Sequence, residues 1–134
     1  SLDLGLAKYK FYTFGDGYEA IIKRNNILNM SGKDVMNFCE REVVQSIENF
    51  IHTNRLDKDK IGHFYFHQGS KHIVNLLTKK LDIKKDKISF LPNIGNTVSS
   101  SIPILMKHSN FKRKKNFIIC GFGVGLSISI GYFC

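Results

Sequence analysis

The spacing of hydrophobic and polar positions along this chain changes several times, and each change predicts an element. Tyr9-Lys10-Phe11-Tyr12-Thr13-Phe14 is rich in strand formers and predicts a strand over roughly 8–14, stopped by the turn signal Gly15-Asp16-Gly17. Residues 18–29 carry no clear period and are expected to form a covering segment. From Ser31 the period becomes helical, with Val35, Phe38, Cys39, Val43, Ile47 and Ile51 on one face. Ser31 and Asp34 fit a capping arrangement in which hydroxyl and carboxylate satisfy free backbone N–H groups at the helix start.

Ile61-Gly62-His63-Phe64-Tyr65-Phe66 reads as a second strand, followed by His67-Gln68-Gly69-Ser70 and a helix that buries Ile73, Val74, Leu76, Leu77 and Leu81. Ile88-Ser89-Phe90-Leu91 predicts a third strand, ended by Pro92-Asn93-Ile94-Gly95-Asn96. Thr97 to about His108 predicts a helix, with Pro103 tolerated near its first turn. Phe117 to Cys134 holds no charged residue over 18 positions, which approaches the length of a membrane span. Four glycines interrupt it, and Leu126-Ser127-Ile128-Ser129-Ile130 alternates with period two, so it reads as two buried strands around a glycine turn. The order strand, helix, strand, helix, strand, helix, strand, strand predicts one α/β domain with a mixed sheet and no internal boundary.

Composition changes this picture little. The chain's 134 residues are 43% hydrophobic and 23% charged, as in an ordinary globular domain. A formal net charge of +9 favours acidic partners, but its lysines are dispersed over helix faces and loops. A nucleic-acid-binding module rests on that charge alone and is not expected. Cys39, Cys120 and Cys134 form no CxxC pair and make an odd count, which points to a reducing, cytoplasmic setting rather than a disulfide framework. No secretory or transit signal is visible, and the start at Ser1 just ahead of a strand fits a cut from a longer polypeptide.

In α/β sheets, functional groups gather beyond the carboxyl ends of strands. Three loops here fit that position: His67-Gln68, Gly95-Asn96 and Gly121-Phe122-Gly123-Val124-Gly125. A histidine and an asparagine from two strand ends can aim two N–H donors at one oxygen that becomes negative during reaction. The glycine turn can bring backbone N–H groups close to a ligand. Taken singly, the histidine and the glycines also suit purely structural duties. No phosphate-binding loop, zinc motif or G-x-G-x-x-G cradle occurs. His63 and His67 stand roughly 13 Å apart if both lie on one strand, so no metal pair is expected.

At these residues the chain resembles the ketoacyl-ACP synthase III family of the thiolase superfamily. Phe66-His67-Gln68 resembles the family's His-Gln motif, and Asn93-Ile94-Gly95-Asn96-Thr97-Val98-Ser99-Ser100-Ser101-Ile102-Pro103 its Gly-Asn-Thr motif. Phe122-Gly123-Val124-Gly125-Leu126-Ser127 resembles the terminal Phe-Gly-Gly-Gly run, and Met30-Ser31-Gly32-Lys33-Asp34-Val35 the opening of a long helix. The resemblance implies the C-terminal half of a thiolase-like fold. It also implies a decarboxylative Claisen condensation of an acyl thioester with malonyl-ACP in fatty acid biosynthesis, as part of a cytoplasmic homodimer. Acyl-CoA and malonyl-ACP would be substrates, an acyl carrier protein the partner, and no metal or other cofactor is implied.

Residue by residue, the resemblance makes His67 and Asn96 the donors to the malonyl thioester oxygen. It makes the Val124 backbone part of a second oxyanion hole, with Gly123 beside it and Phe122 an aromatic gate near the nucleophile. Gln68, Ser70, Lys71 and His72 fall where the family binds pantetheine and carrier. The nucleophilic cysteine would belong to an N-terminal half, and none of the three cysteines here matches it, so this chain alone is expected to be inactive. Val124 replaces a glycine, and Gly69-Ser70-Lys71-His72 replaces Ala-Asn-x-Arg, with Lys71 able to stand in for the basic contact. A related acyltransferase of specialised metabolism, or a non-catalytic subunit that binds an acyl carrier, remain alternatives. Without the other half, one face of this chain's sheet assembly should expose an apolar patch or drive the chain into an oligomer.

Overall fold

The computed structural model describes residues 8–109 and 116–134. Six strands are present among them: β1 (Lys8–Thr13), β2 (Ile21–Arg24), β3 (Ile27–Met30), β4 (His63–Phe66), β5 (Phe117–Gly123) and β6 (Ser127–Phe133). The helices are α1 (Gly32–Phe38), α2 (Val44–Thr53), α3 (Lys71–Lys80) and α4 (Ser101–His108). A mixed four-stranded sheet runs β1-β6-β5-β4, in which β4 and β5 are parallel and the other neighbours antiparallel. This α/β architecture is the predicted fold class.

Alternation along β4 and β5 sends side chains to opposite faces, and each face has its own cover. On one face Phe64, Phe66, Ile118, Cys120, Ile128 and Ile130 pack with Phe38, Cys39, Val43, Ile47 and Leu77 from the long helix and α3. On the other, Tyr65 and Phe117 pack with Leu105 of α4 and the partly buried Ile102 and Met106. All four residues of β4 are therefore buried. β1 is covered on one face only: Tyr12 joins the first cluster, whereas Tyr9 and Phe11 are 72% and 67% exposed.

The long helix starts where its sequence predicts, with Ser31 Oγ accepting from the Asp34 N–H at 3.3 Å, the hydroxyl half of the expected capping arrangement. It runs through one π segment, Cys39–Val43, that joins α1 to α2. The extra residue in that turn holds Cys39 and Val43 in the core along with Ile47 and Phe50. Ile51, expected on the core face, is only partly buried, and its neighbour Phe50 is the buried one.

Two readings change. Residues 18–29, expected as a covering segment with no clear period, hold regular structure: β2 and β3 form a hairpin whose two turn residues, Asn25 and Asn26, both have positive φ (51° and 62°). Such a turn suits asparagine and matches the twist of the strands it joins. The hairpin lacks a fully buried face, and all four residues of β3 are exposed, so no burial period marks it. Residues 88–91 are not a strand, since only Ile88 makes a bridge, to Phe64. The backbone N–H and C=O of Leu91 are both taken by the Gln68 side chain, which removes them from any ladder with β4. Among the described residues no helix is long and apolar enough to cross a membrane.

Candidate active site

β4 ends at Phe66, and His67 follows with its backbone N–H donating to the Cys120 carbonyl at 2.9 Å, which fixes it against β5. The imidazole Nδ1 lies 2.8 Å from Ser101 Oγ at the start of α4. Its ring meets Phe122 of β5 edge-on, with centroids 5.4 Å apart and planes at 88°. Burial holds the His67 pKa below the ordinary imidazole value, opposed in part by the Val98 backbone, so the neutral ring prevails at neutral pH.

Gln68 turns the other way and is 2% exposed. Its amide N donates to the carbonyls of Leu91 (2.8 Å) and Gly95 (3.0 Å), and its amide O accepts from the Leu91 N–H (2.8 Å). These three bonds clamp the segment that leads into Asn96. There Gly95 takes φ 69°, a conformation glycine adopts freely. Asn96 Oδ1 accepts from the Val98 N–H at 2.9 Å, which leaves the amide N–H₂ as the donor end of that side chain. Val98 itself has φ 52°, unusual for a β-branched residue, and its carbonyl lies 3.0 Å from the Ser101 hydroxyl.

These parts share a cavity of about 310 Å³. His67, Asn96, Phe122, Gly123, Ser70 and His72 line it, joined by Ile21 and Met30 of the hairpin and by Val35 and Met36 of α1. Gln68, Lys71 and Val124 do not line it. Ser70 Oγ accepts from the Ile73 N–H at 3.2 Å and caps α3, with Lys71 exposed beside it. Val124 is 72% exposed on the turn between β5 and β6, where Gly125 has φ 76°. The hairpin walls and Ser101 went unselected from sequence. The hairpin carries no period, and Ser101 is the last of three adjacent serines with nothing to distinguish it.

No thiol here is poised for attack. Burial pushes the Cys39 thiol up to about 12 and raises Cys120 as well, so neither supplies a thiolate at neutral pH. Cys134 is exposed at the far end of β6.

A family profile described as 3-oxoacyl-[acyl-carrier-protein (ACP)] synthase III C terminal matches residues 51–133. The chain belongs to this family. Among synthase III relatives, it is 32% identical over 110 residues to beta-ketoacyl-[acyl-carrier-protein] synthase III of Streptococcus agalactiae serotype III (strain NEM316), a match covering 77% of this chain and 34% of the relative. It is 33% identical over 119 residues to the protein of the same name from Clostridium perfringens (strain 13 / Type A), covering 85% of this chain and 36% of that one. The chain thus spans about a third of the length of these curated synthase III relatives. The crystal structure of 3-oxoacyl-(acyl carrier protein) synthase III from Pseudomonas aeruginosa PAO1 superposes with a TM-score of 0.84 at 22% identity, covering 93% of this chain and 42% of that one. The ketoacyl-ACP synthase III resemblance read from the motifs therefore holds at the level of family and fold.

Proposed function

We propose that this chain supplies the malonyl-thioester half of a decarboxylative condensation, in which an acyl thioester and malonyl-ACP give a 3-oxoacyl-ACP in fatty acid biosynthesis. The observation that carries this reading is that His67 and Asn96, from two separate loops, line one cavity with each side chain oriented by its own hydrogen bond. As the malonyl carboxylate leaves as CO₂, its bonding electrons pass onto the thioester and its oxygen becomes an enolate. A neutral His67 N–H and the Asn96 N–H₂ would stabilise that charge, and a donor fixed in place beforehand does so without reorganisation. Phe122 against the His67 ring restricts water, and the apolar walls strengthen both hydrogen bonds. The Val124 backbone would serve the second oxygen, that of the acyl thioester.

The acylated nucleophile must come from elsewhere, since the Cys39 and Cys120 thiols are raised by burial and Cys134 is not among the residues lining the cavity. The chain by itself is thus expected to be inactive, and to act within a homodimeric enzyme whose remaining residues supply that cysteine. Three free thiols suit a cytoplasmic setting. Ser70 and His72 at the cavity and Lys71 beside it would face the pantetheine arm and its acidic carrier, whereas Gln68 is committed to holding the loop that carries Asn96, and no metal or further cofactor enters the chemistry.

In the full-length enzyme, His67→Ala or Asn96→Ala should each lower malonyl-thioester decarboxylation by about 10²–10³-fold while acyl transfer to the nucleophilic cysteine persists. Radiolabelled CO₂ release and mass-resolved acyl-enzyme separate the two steps. Equal loss of both would reject the assigned roles.

A further inference from the structure

We propose that Ser101 is a positioning residue that sets the tautomer of His67 by donating its hydroxyl hydrogen to Nδ1, leaving Nε2–H as the donor for a bound thioester oxygen. The inference rests on the oxyanion role proposed for His67 and adds the group that makes that role possible.

A neutral imidazole carries one N–H, and whichever nitrogen accepts a hydrogen bond leaves the other as donor. Ser101 Oγ is 2.8 Å from His67 Nδ1, 3.0 Å from the Val98 carbonyl and 3.4 Å from the Gln68 backbone N–H. The Gln68 N–H can only donate and the Val98 carbonyl can only accept, so the single hydroxyl hydrogen has two possible destinations. If it goes to Val98, Nδ1–H points at Ser101 and Nε2 is a bare lone pair. A thioester oxygen would then meet lone pair against lone pair, and the enolate would gain nothing from His67. If it goes to Nδ1, along the shorter of the two contacts, Nε2–H is the free donor.

Two structural facts bear on the choice. Ser101 is 3% exposed, so its hydroxyl has little access to water as an alternative partner. Val98 accepts at its carbonyl and donates its N–H to Asn96, so one short turn orients both donors toward one cavity. The Val98 backbone also hydrogen-bonds the His67 ring, and that is the competing arrangement the test distinguishes. The serine hydroxyl acts on the reaction only through His67.

The test is ¹⁵N NMR of the histidine-labelled 134-residue chain at neutral pH, with the His67 signals assigned by their absence in His67→Gln. The wild type should show a pyrrole-type Nε2 and a pyridine-type Nδ1; the reverse pattern overturns the proposal without any variant. Ser101→Ala should move the ring toward Nδ1–H, and Ser101→Thr, which keeps a hydroxyl, should restore Nε2–H. An unchanged wild-type pattern in a folded Ser101→Ala also overturns it. In the full-length enzyme, Ser101→Ala should lower decarboxylation at least tenfold with cysteine acylation retained, and Ser101→Thr should recover most of it. If the tautomer shifts as expected but decarboxylation does not change, Ser101 keeps its role on the ring and the oxyanion role of His67 is what fails.

Discussion

At the scale of single residues, the site depends on small groups beside His67. Gly69 stands where related sequences carry alanine by the motif resemblance, and a Cβ placed there would lie 3.6 Å from the His67 ring and from Ile73 Cδ1. That is ordinary contact, and its φ lies outside the left-handed region, so the added methyl meets no obstacle. Gly69→Ala should therefore raise stability by about 0.4–1 kcal/mol through the unfolded chain's lost freedom, read as a higher urea midpoint. His67 also gives the fold a pH dependence. Its pKa is lowered on folding, chiefly by burial, from an unfolded value of 6.5. As pH falls below that value the unfolded state takes up a proton that the folded state resists, so stability is lost on acidification and is fully present above it. Between about pH 7 and about pH 5.5, near the ordinary imidazole range, the wild-type urea midpoint should fall more steeply than that of His67→Gln. Parallel slopes would mean that burial does not hold the ring neutral.

At the scale of elements, the Gln68 clamp decides how the loop carrying Asn96 is built. Gln68→Ala would leave the Leu91 N–H and the Leu91 and Gly95 carbonyls without their side-chain partner, at a cost of about 1–3 kcal/mol. Amide exchange at Leu91 should speed up in the variant; protection equal to wild type would show that the loop is held by other means. The same clamp explains why this loop was misread from sequence. Ile88-Ser89-Phe90-Leu91 has a strand's composition, but the ladder positions of Leu91 are occupied by a side chain 23 residues away. The β2–β3 hairpin was illegible for a different reason, since it presents no buried stripe and its asparagine turn lacks the glycine that usually announces one. By contrast, the capped helix from Ser31 and α3 were legible because each commits one face to the core, and β4 and the two C-terminal strands because their buried runs are apolar or alternate with period two. Among site residues, His67, Asn96 and Phe122 could be chosen from motifs, whereas Ser101 emerges only when α4 is docked beside β4.

At the scale of the whole molecule, charge and surface set how a partner is met. Lys71 is exposed at the start of α3, between Ser70 and His72, which line the cavity. An acidic carrier would feel this lysine as part of the chain's +9 balance. Lys71→Glu should weaken carrier-protein binding by full-length enzyme several-fold at low salt, with the difference shrinking as salt screens it. Equal affinities in a titration at low ionic strength would remove Lys71 from the docking surface.

The strand order has a consequence for how the chain must be made. β6, the last of the described strands, lies between β1 and β5, and β1 is paired with it throughout from Lys8↔Tyr132 to Thr13↔Ser127. The earliest described strand therefore waits for the latest one, and a nascent chain halted before β6 would leave open both strand edges that β6 fills, with Tyr9 and Phe11 bare beside them. Its period of greatest risk from self-association is set by the time the ribosome takes to travel from β1 to β6, and it eases only as β6 emerges.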